Sequence, residues 1–419
     1  MLAQCPVSHD FNPFSADYMN DPHSIFAKLR ADSPVTYVPE LKVYVVSRYE
    51  DVAQVLEDRE TFCSEGATSP FMAVSEEAQA VLASGFHRKP VFSNCDPPKH
   101  PKMRLAASRC LTLKRWDKAK PAIREYAEDL IARMSAKPVA DLMDDLCFPL
   151  PAFAGFTLLG FPREDTELLK SWCNGRVGIT YGDLTPPQQL EAAHDLVDFF
   201  AYCHNFVELR KKEPADDLTS DLLELSKKMG AELTSDDIVN MIYSISLAGH
   251  ETSTAAIMNG MQKLLSDRAQ WDRLRADPSL IPNAVEELMR WNSPTLAVRR
   301  LSTRESTIGD VVIPKGSRIY VLLASANRDE DHFPDPEVFD MERENARDHV
   351  SFGKAWHFCL GAPLARYEYE LVLELLTQRT PDMQVVEGQE TEYVPNILIR
   401  KPEHLLVKPN VAAAQAVPA

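Results

Sequence analysis

The segment from Thr234 to about Asp267 is the longest helical pattern in the chain. Thr234 is suited to cap this helix, with Asp237 three residues later, and acidic residues in the first turn complement the helix dipole. At about 1.5 Å per residue such a helix would be roughly 50 Å long, which is enough to cross a whole domain. The fold must therefore accommodate one helix that runs through it from side to side.

Helical periodicity dominates the region from about 75 to 290, and further helices are predicted at Ile281 to Trp291 and after Cys359. Short strand patterns flank this region. They lie at Val35–Val38, Lys42–Val46, Ser306–Ile313 and Arg318–Leu323. We therefore predict a mainly α protein with small peripheral β-sheets, forming one domain over 1–409 with β-rich parts at about 30–65 and 300–325. The Ala/Val/Gln/Pro-rich stretch 410–419 is predicted to be a disordered tail or the start of a cut linker.

Charge and hydropathy exclude several classes of function. The formal net charge of −17 argues against nucleic acid as a partner, because a phosphate backbone needs a basic face. There is no apolar run of about 18 residues to span a bilayer, so no membrane partner is expected. The N-terminal residues lack the basic and apolar regions of a signal peptide, so the cytoplasm is the expected location.

Cys359 stands apart from the other seven cysteines. None of the eight lies in a Cys-x-x-Cys pair, which disfavours zinc ribbons and thioredoxin-type motifs, and most are expected to be buried thiols. The segment Ser351–Arg366 (SFGKAWHFCLGAPLAR) is interpreted as a loop that opens into a helix at Cys359. Free backbone N–H groups and the helix dipole stabilise a thiolate at such a position. Without its neighbours, Cys359 would be interpreted as a structural thiol.

The neighbours of Cys359 resemble the haem-binding signature of the cytochrome P450 family, Phe-Gly-x-Gly-x-His-x-Cys-x-Gly. The matching residues are Phe352, Gly353, His357, Cys359 and Gly361. The resemblance implies a cytochrome P450 fold that holds haem b (iron protoporphyrin IX), with Cys359 as the proximal iron ligand and His357 at a haem propionate. It also implies that Phe352 packs beside the sulfur and that Gly361 lets the helix approach the porphyrin.

Ala355 departs from this signature, because the family usually has Gly at that position. If Ala355 adopts a positive φ, the conformation costs about 1 kcal/mol. Haem binding would offset that cost. The departure concerns the local turn rather than the ligation of iron.

The centre of the long helix contains Ala248-Gly249-His250-Glu251-Thr252-Ser253. Taken alone, the hydroxyls are most simply interpreted as bonded to carbonyls of the preceding turn. The segment also resembles the oxygen-activation motif of the same family. By that resemblance Gly249, beside Ala248, leaves space above the haem for dioxygen, and Thr252 and Glu251 supply the protons that O–O cleavage requires.

The pair His250-Glu251 also begins a pattern similar to the HExxH motif of zinc proteases. That motif needs a second histidine four residues after the first. The position is occupied by Thr254, so a zinc-protease site is excluded.

Two further groups of charged residues match family patterns. Glu287 and Arg290 alone would be interpreted as a surface ion pair, but they resemble the family's Glu-x-x-Arg, whose buried pair is completed by a later arginine, here Arg343. Three basic residues resemble the family's propionate-binding residues. These are His100, Arg104 and Arg300.

The substrate pocket is expected, by the same resemblance, in segments 68–91, 176–181, 244–248, 294–298 and 396–398. Its predicted side chains are Phe71, Phe86, Ser244, Ala248, Pro294, Leu296, Val298 and Ile397. These segments are mostly apolar, and their only obvious charges are Arg88 and Arg176. We therefore expect a small to medium hydrophobic substrate, aromatic or aliphatic, that is hydroxylated or O-dealkylated.

The segment from Lys99 to Lys120 carries eight basic residues and one acid, Asp117. This run suggests a docking face for an acidic redox partner, although a solvated helix face is the alternative. The resemblance favours docking and extends over about 10–409. It is strongest to bacterial soluble members and includes haem domains fused to a flavin/iron–sulfur reductase.

These observations predict a haem-thiolate monooxygenase that uses O2 and receives electrons from a ferredoxin or a flavin/iron–sulfur reductase. One alternative is a non-catalytic haem-thiolate sensor or ligand carrier, against which the Glu251–Thr252 pair argues because a sensor needs no proton supply. A second alternative is a peroxide-driven haem-thiolate enzyme. Turnover with hydrogen peroxide alone that is insensitive to Thr252→Ala would favour it.

Overall fold

The computed structural model describes residues 6–9, 11–394 and 396–410; the tail predicted at 410–419 lies outside this range from 411 onward. The helices are α1 Ala16–Asn20, α2 Pro22–Asp32, α3 Tyr49–Glu57, α4 Glu76–Gly85, α5 Lys99–Cys110, α6 Leu113–Ser135, α7 Pro149–Leu159, α8 Thr166–Tyr181, α9 Pro186–Lys212, α10 Leu218–Met229, α11 Ser235–Ser266, α12 Arg268–Ala276, α13 Ile281–Trp291, α14 Leu323–Ala326 and α15 Ala362–Arg379. The strands are β1 Val35–Val38, β2 Val43–Val46, β3 Phe62–Cys63, β4 Ala140–Asp141, β5 Val298–Ser302, β6 Ser306–Ile308, β7 Val311–Ile313, β8 Arg318–Val321, β9 Gln384–Val385 and β10 Leu406–Lys408. The prediction of a mainly α fold with small sheets is confirmed. Among the described helices, none has both the length and the apolar character that crossing a bilayer requires.

Helix α11 is the predicted long helix and begins as expected. The Thr234 hydroxyl accepts a hydrogen bond from the Asp237 backbone N–H, and the Asp237 carboxylate accepts one from the Thr234 N–H. This reciprocal capping satisfies two donors that the helix itself cannot pair. The first turns of α11 pack in one hydrophobic core with α8, α9 and α10, whereas the part beyond Ala255 packs in a second core with α6, α13 and α15.

Close packing of α11 on α15 depends on Gly260. A Cβ built at this position would collide with the hydroxyl of Tyr369, which belongs to α15. Only a residue without a side chain fits there, and this allows the two helices to pack at a short interaxial distance.

The main sheet has the strand order β1-β2-β8-β5-β3. Strands β2 and β8 pair in parallel, with Val43 opposite Arg318, and the other pairs are antiparallel. The segment predicted as one strand at Ser306–Ile313 is instead a hairpin of β6 and β7, because Gly309 turns the chain with a φ of +53°. The small sheet β4-β10-β9 was not predicted, since strands of two or three residues show no measurable periodicity.

The charged residues assigned a structural role do form a buried cluster. The Glu287 carboxylate accepts hydrogen bonds from Arg290 (Nε to Oε2, 2.6 Å) and from Arg343 (Nε to Oε1, 3.1 Å), and all three side chains are buried. The neighbouring Glu286 carboxylate accepts hydrogen bonds from Arg366 of α15 (2.6 Å). Helix α13 is thereby joined both to the loop before Cys359 and to the helix after it.

Candidate active site

The Cys359 segment and the centre of α11 line one cavity of about 420 Å3. Ala248 is exposed and Gly249 is partly exposed although they lie in the middle of an otherwise buried helix, because their surface faces this cavity. The cavity therefore lies where the two hydrophobic cores leave α11 uncovered.

Cys359 lies just before helix α15, which begins at Ala362 and not at Cys359 as predicted. Its side chain is exposed to the cavity. Burial raises the pKa of the Cys359 thiol, while hydrogen bonds from the backbone N–H groups of Gly361 and Ala362 act in the opposite direction. The site thus presents a sulfur atom to an enclosed space, with donors in place for its anionic form.

The loop before Cys359 is closed by a hydrogen bond from the Cys359 N–H to the Phe352 carbonyl (2.8 Å). Phe352 is buried beneath the guanidinium of Arg366, which lies 4.6 Å from the ring centre. Ala355 adopts a φ of +52°, so the expected strain of about 1 kcal/mol is present in this turn.

Four basic residues meet at one edge of the cavity: His100, Arg104, Arg300 and His357. The rings of His100 and His357 are 4.2 Å apart, and the His100 Nε2 is buried without a hydrogen-bond partner among the described residues. Arg104 donates to the Phe358 carbonyl (2.6 Å), and Arg300 donates to the Arg299 carbonyl (2.8 Å).

The buried positive charges at this edge are suited to bind an anion. Burial, together with the charges of Arg300, His100 and Arg104, lowers the pKa of His357 to about 3. Burial lowers the pKa of Arg300 to about 10. Within the described parts of the chain none of the four basic residues forms an ion pair with a carboxylate. An anionic group at this edge would relieve the repulsion between the four basic side chains and would accept hydrogen bonds from them.

Thr252 and Glu251 both line the cavity, as the sequence predicted. The Thr252 hydroxyl donates to the Ala248 carbonyl (2.9 Å), which is the bond to the preceding turn considered above. Oε2 of Glu251 accepts a hydrogen bond from the Lys401 ammonium (2.7 Å), whereas its Oε1 is buried without a partner among the described residues. Burial raises the pKa of Glu251, but the charge and hydrogen bond of Lys401 outweigh it, and the net shift is downward.

Lys401 was not predicted as a site residue. It follows Glu251 by 150 residues and comes from the C-terminal segment, so no local spacing could have indicated the pair. His250, the preceding residue of α11, is buried, its two ring nitrogens have no hydrogen-bond partner among the described side chains and backbone, and burial lowers its pKa to about 4. His250 is thus a neutral ring inside the core.

Five of the predicted pocket residues lie on the cavity wall. They are Ser244, Ala248, Pro294, Val298 and Ile397. Phe71, Phe86 and Leu296 do not line it. Leu296 is fully buried in the core under the main sheet, Phe86 packs against Phe200 and Tyr243, and Phe71 packs against Phe14.

The basic run at 99–120 is less free than its composition suggested. Five of its eight basic side chains form ion pairs with acidic side chains: Lys99 with Asp237, Lys102 with Glu232, Arg115 with Asp216 and Asp221, Lys118 with Asp216, and Lys120 with Asp117. Asp221 belongs to α10 and Asp237 to the first turn of α11, while Asp216 and Glu232 lie in the segments just before these two helices. Arg109 and Lys114 remain exposed, next to the exposed Leu105 (46%) and Leu113 (77%).

Comparisons with known proteins agree on one family. The family model "Cytochrome P450" matches residues 183–407. The cytochrome P450 monooxygenase PikC of Streptomyces venezuelae is 33% identical over 94% of this chain and 92% of its own.

Two solved structures are similar over 96% of the chain. Cytochrome P450 CREJ in complex with (4-ethylphenyl) dihydrogen phosphate superposes with a TM-score of 0.91, at 33% identity and 99% coverage of that chain. An intact type IV self-sufficient cytochrome P450 monooxygenase gives a TM-score of 0.93 at 34% identity, and the match covers 54% of that longer chain.

Proposed function

The chain belongs to the cytochrome P450 family of haem b monooxygenases, and we propose that its 1–409 region is a single haem-binding domain in which Cys359 ligates the iron. The observation that carries this proposal is the position of Cys359. Its sulfur faces the mainly apolar cavity lined by the centre of α11, with the N–H groups of Gly361 and Ala362 directed at it. A thiolate held in this way would hold the iron of a bound haem and donate electron density to it.

The residues present fit a haem. The porphyrin carries two carboxylates, and the basic edge of His100, Arg104, Arg300 and His357 pairs with no carboxylate of the described residues. The Nε2 atom of His100 has no hydrogen-bond partner among them either. The two propionates of a bound haem would pair with these basic side chains. Phe352 would lie beside the sulfur, and the uncovered surface of Ala248 and Gly249 would face the opposite side.

Bound haem supplies the chemistry that activates O2 and inserts one oxygen atom into a substrate C–H bond. The protein must then deliver protons into an apolar cavity. We assign this to Thr252, whose hydroxyl lies on the wall, and to Glu251, whose Oε1 is free to accept a proton while Lys401 holds Oε2.

The substrate that we propose has a small to medium hydrophobic body and is hydroxylated or O-dealkylated. The wall around Ala248, Val298 and Ile397 is apolar and excludes water from such a body. The ligand of CREJ, (4-ethylphenyl) dihydrogen phosphate, carries an apolar body of that size next to its phosphate group.

Electrons would come from a ferredoxin or from a flavin/iron–sulfur reductase in the cytoplasm, either separate or fused as in the self-sufficient neighbour. The proposed docking face is the patch formed by Leu105, Arg109, Leu113 and Lys114. It combines exposed apolar surface with two cations that pair with no carboxylate in the described part of the chain, and Arg104 connects α5 directly to the Cys359 loop.

The test is the absorption spectrum of the reduced carbon monoxide complex. The haem-loaded protein should show the Soret position of a thiolate ligand, and Cys359→Ala should abolish it. Cys110→Ala is the matched control, because Cys110 is a buried thiol whose pKa burial raises to about 11. A thiolate spectrum that survives Cys359→Ala would contradict the assignment. Product formed with reductant and O2, but not with hydrogen peroxide alone, separates the monooxygenase from both the sensor and the peroxide-driven enzyme.

A further inference from the structure

The cavity wall carries three arginines apart from the basic edge: Arg88, Arg176 and Arg299, which we call the arginine cluster. Arg299 and Arg300 are consecutive in β5, so their side chains point to opposite faces of the strand. Arg300 lies with His357, whereas Arg299 lies 5.6 Å from the ring centre of Tyr181. The arginine cluster therefore does not belong to the edge assigned to the haem propionates.

The positive charges of the arginine cluster are not neutralised within the described residues. Arg176 is 8% exposed, and its one hydrogen bond goes to the Thr68 carbonyl (2.7 Å). Arg299 donates to the carbonyls of Ala67 (3.1 Å) and Ser69 (2.6 Å). Among the described residues of the wall, Glu251 carries the single carboxylate, and Lys401 already pairs with it.

Polar atoms around the arginine cluster lack partners. Nε of Arg88, the hydroxyl of Tyr243 and the hydroxyl of Thr68 are buried and make no hydrogen bond to the described residues, and all three side chains line the cavity. Burial, and then the charge of Arg176 on the same wall, lower the pKa of Arg88 to about 10. Buried charges and donors without partners are costly, so their grouping in a cavity indicates a ligand that pairs with them.

We propose that the arginine cluster, with the hydroxyls of Tyr243 and Thr68, binds an oxyanion head group of the substrate, either a phosphate monoester or a carboxylate. Guanidinium groups match both anions through paired, charge-assisted hydrogen bonds. The apolar remainder of the wall, with Leu247, Val298 and Leu398, receives the organic body. The inference rests on the proposed function and replaces a purely hydrophobic substrate by an amphipathic one.

The test compares three ligands that share one apolar body: para-tert-butylphenol, para-tert-butylphenyl phosphate and para-tert-butylbenzoate. Dissociation constants for the haem-loaded protein are measured by equilibrium dialysis and by the spin-state shift of the haem spectrum. We expect at least one anionic ligand to bind about tenfold tighter than the phenol. Tighter binding of the phosphate would indicate a dianionic head group, and tighter binding of the benzoate a monoanionic one.

Arg88→Gln and Arg176→Gln should each weaken binding of the tighter anion by about ten- to hundredfold and leave binding of the phenol within about twofold. Arg318→Gln is the charge-matched control, because Arg318 is exposed outside the cavity. Arg176→Lys, which keeps the positive charge, should bind the tighter anion more strongly than Arg176→Gln does.

Equal binding of all three ligands, or arginine variants that weaken the phenol as much as the anion, would overturn the proposal. Failure of the oxyanion site can be told from failure of the proposed function. If only the oxyanion site is wrong, the protein and its arginine variants still show the thiolate spectrum of the carbon monoxide complex. If the proposed function is wrong, the unmodified protein lacks that spectrum.

Discussion

The ammonium nitrogen of Lys401 lies 2.7 Å from Oε2 of Glu251 and forms a buried ion pair at the centre of α11. The His250 ring lies 3.8 Å from Oε1 and is kept neutral by burial, and the more distant charge of Lys170 acts more weakly than that of Lys401. The negative charge of Glu251 therefore depends mainly on one residue from a distant segment of the chain.

Lys401→Met should leave Glu251 as an unpaired buried carboxylate and reverse the shift of its pKa from downward to upward. In the unmodified protein the lowered pKa gives a stabilisation that is present above pH 4.5 and is lost as the pH falls through the folded-state value. In the variant the raised pKa makes stability fall as the pH rises. We expect a loss of about 3–5 kcal/mol at neutral pH, measured by denaturant unfolding.

The double variant Lys401→Met with Glu251→Gln should recover most of that stability, because no charge is then left unpaired. Lys228→Met is the control, since Lys228 forms an exposed pair with Glu224. A Lys401→Met protein that loses no more stability than the control would show that the pair does not hold the Glu251 charge.

Ala355→Gly should stabilise the protein by about 1 kcal/mol, because it removes the strain of an alanine at a φ of +52°. The measurement is the unfolding free energy with and without haem. Ala80→Gly, at an exposed position inside α4, should have the opposite sign and cost about 1 kcal/mol. Destabilisation by both changes would mean that the turn is not strained.

Gly260→Ala should destabilise the protein by about 1–3 kcal/mol, because the new methyl group collides with the Tyr369 hydroxyl and forces α11 and α15 apart. Thermal unfolding measures the effect. Gly155→Ala in α7 is the matched control: nothing lies within 4 Å of its built Cβ, so a neutral or stabilising result is expected. The double variant Gly260→Ala with Tyr369→Phe should recover part of the loss.

Glu368→Gln should remove a pH-dependent weakness of the fold. Burial raises the pKa of the Glu368 carboxyl well above 4.5, and the side chain is completely buried in α15. A raised pKa gives a contribution that is intact below pH 4.5 and declines as the pH rises towards the folded-state value. The gain in stability over the unmodified protein should therefore grow with pH. Glu390→Gln, at an exposed position, should follow the unmodified protein, and a pH-independent difference for Glu368→Gln would contradict the prediction.

Residues with a local signature were predictable. The capping box of Thr234 and Asp237 gave the start of α11 to the residue, because capping depends only on neighbours. The positive φ at Ala355 followed from its place in a short motif. The buried cluster of Glu287, Arg290 and Arg343 followed from the same family pattern.

Contacts between distant segments were not predictable. The pairing of Lys401 with Glu251, and the meeting of the arginine cluster on one cavity wall, are set by how helices and strands pack. The basic run at 99–120 was interpreted from its own composition, which cannot show that acids of α10 and α11 lie against it. Phe86 was assigned to the pocket by position, but its ring is held by Phe200.

The parallel pairing of β2 with β8 has a consequence for synthesis of the protein. The cavity wall extends from Leu56 to Ile399, and the sheet beneath it cannot close until Arg318–Val321 is available to Val43–Val46. An emerging chain on the ribosome thus holds its early strands without their parallel neighbour through most of translation, which exposes apolar edges. The lining of the cavity is therefore complete only after Ile399 has left the ribosome, so we expect the cofactor to bind late in synthesis.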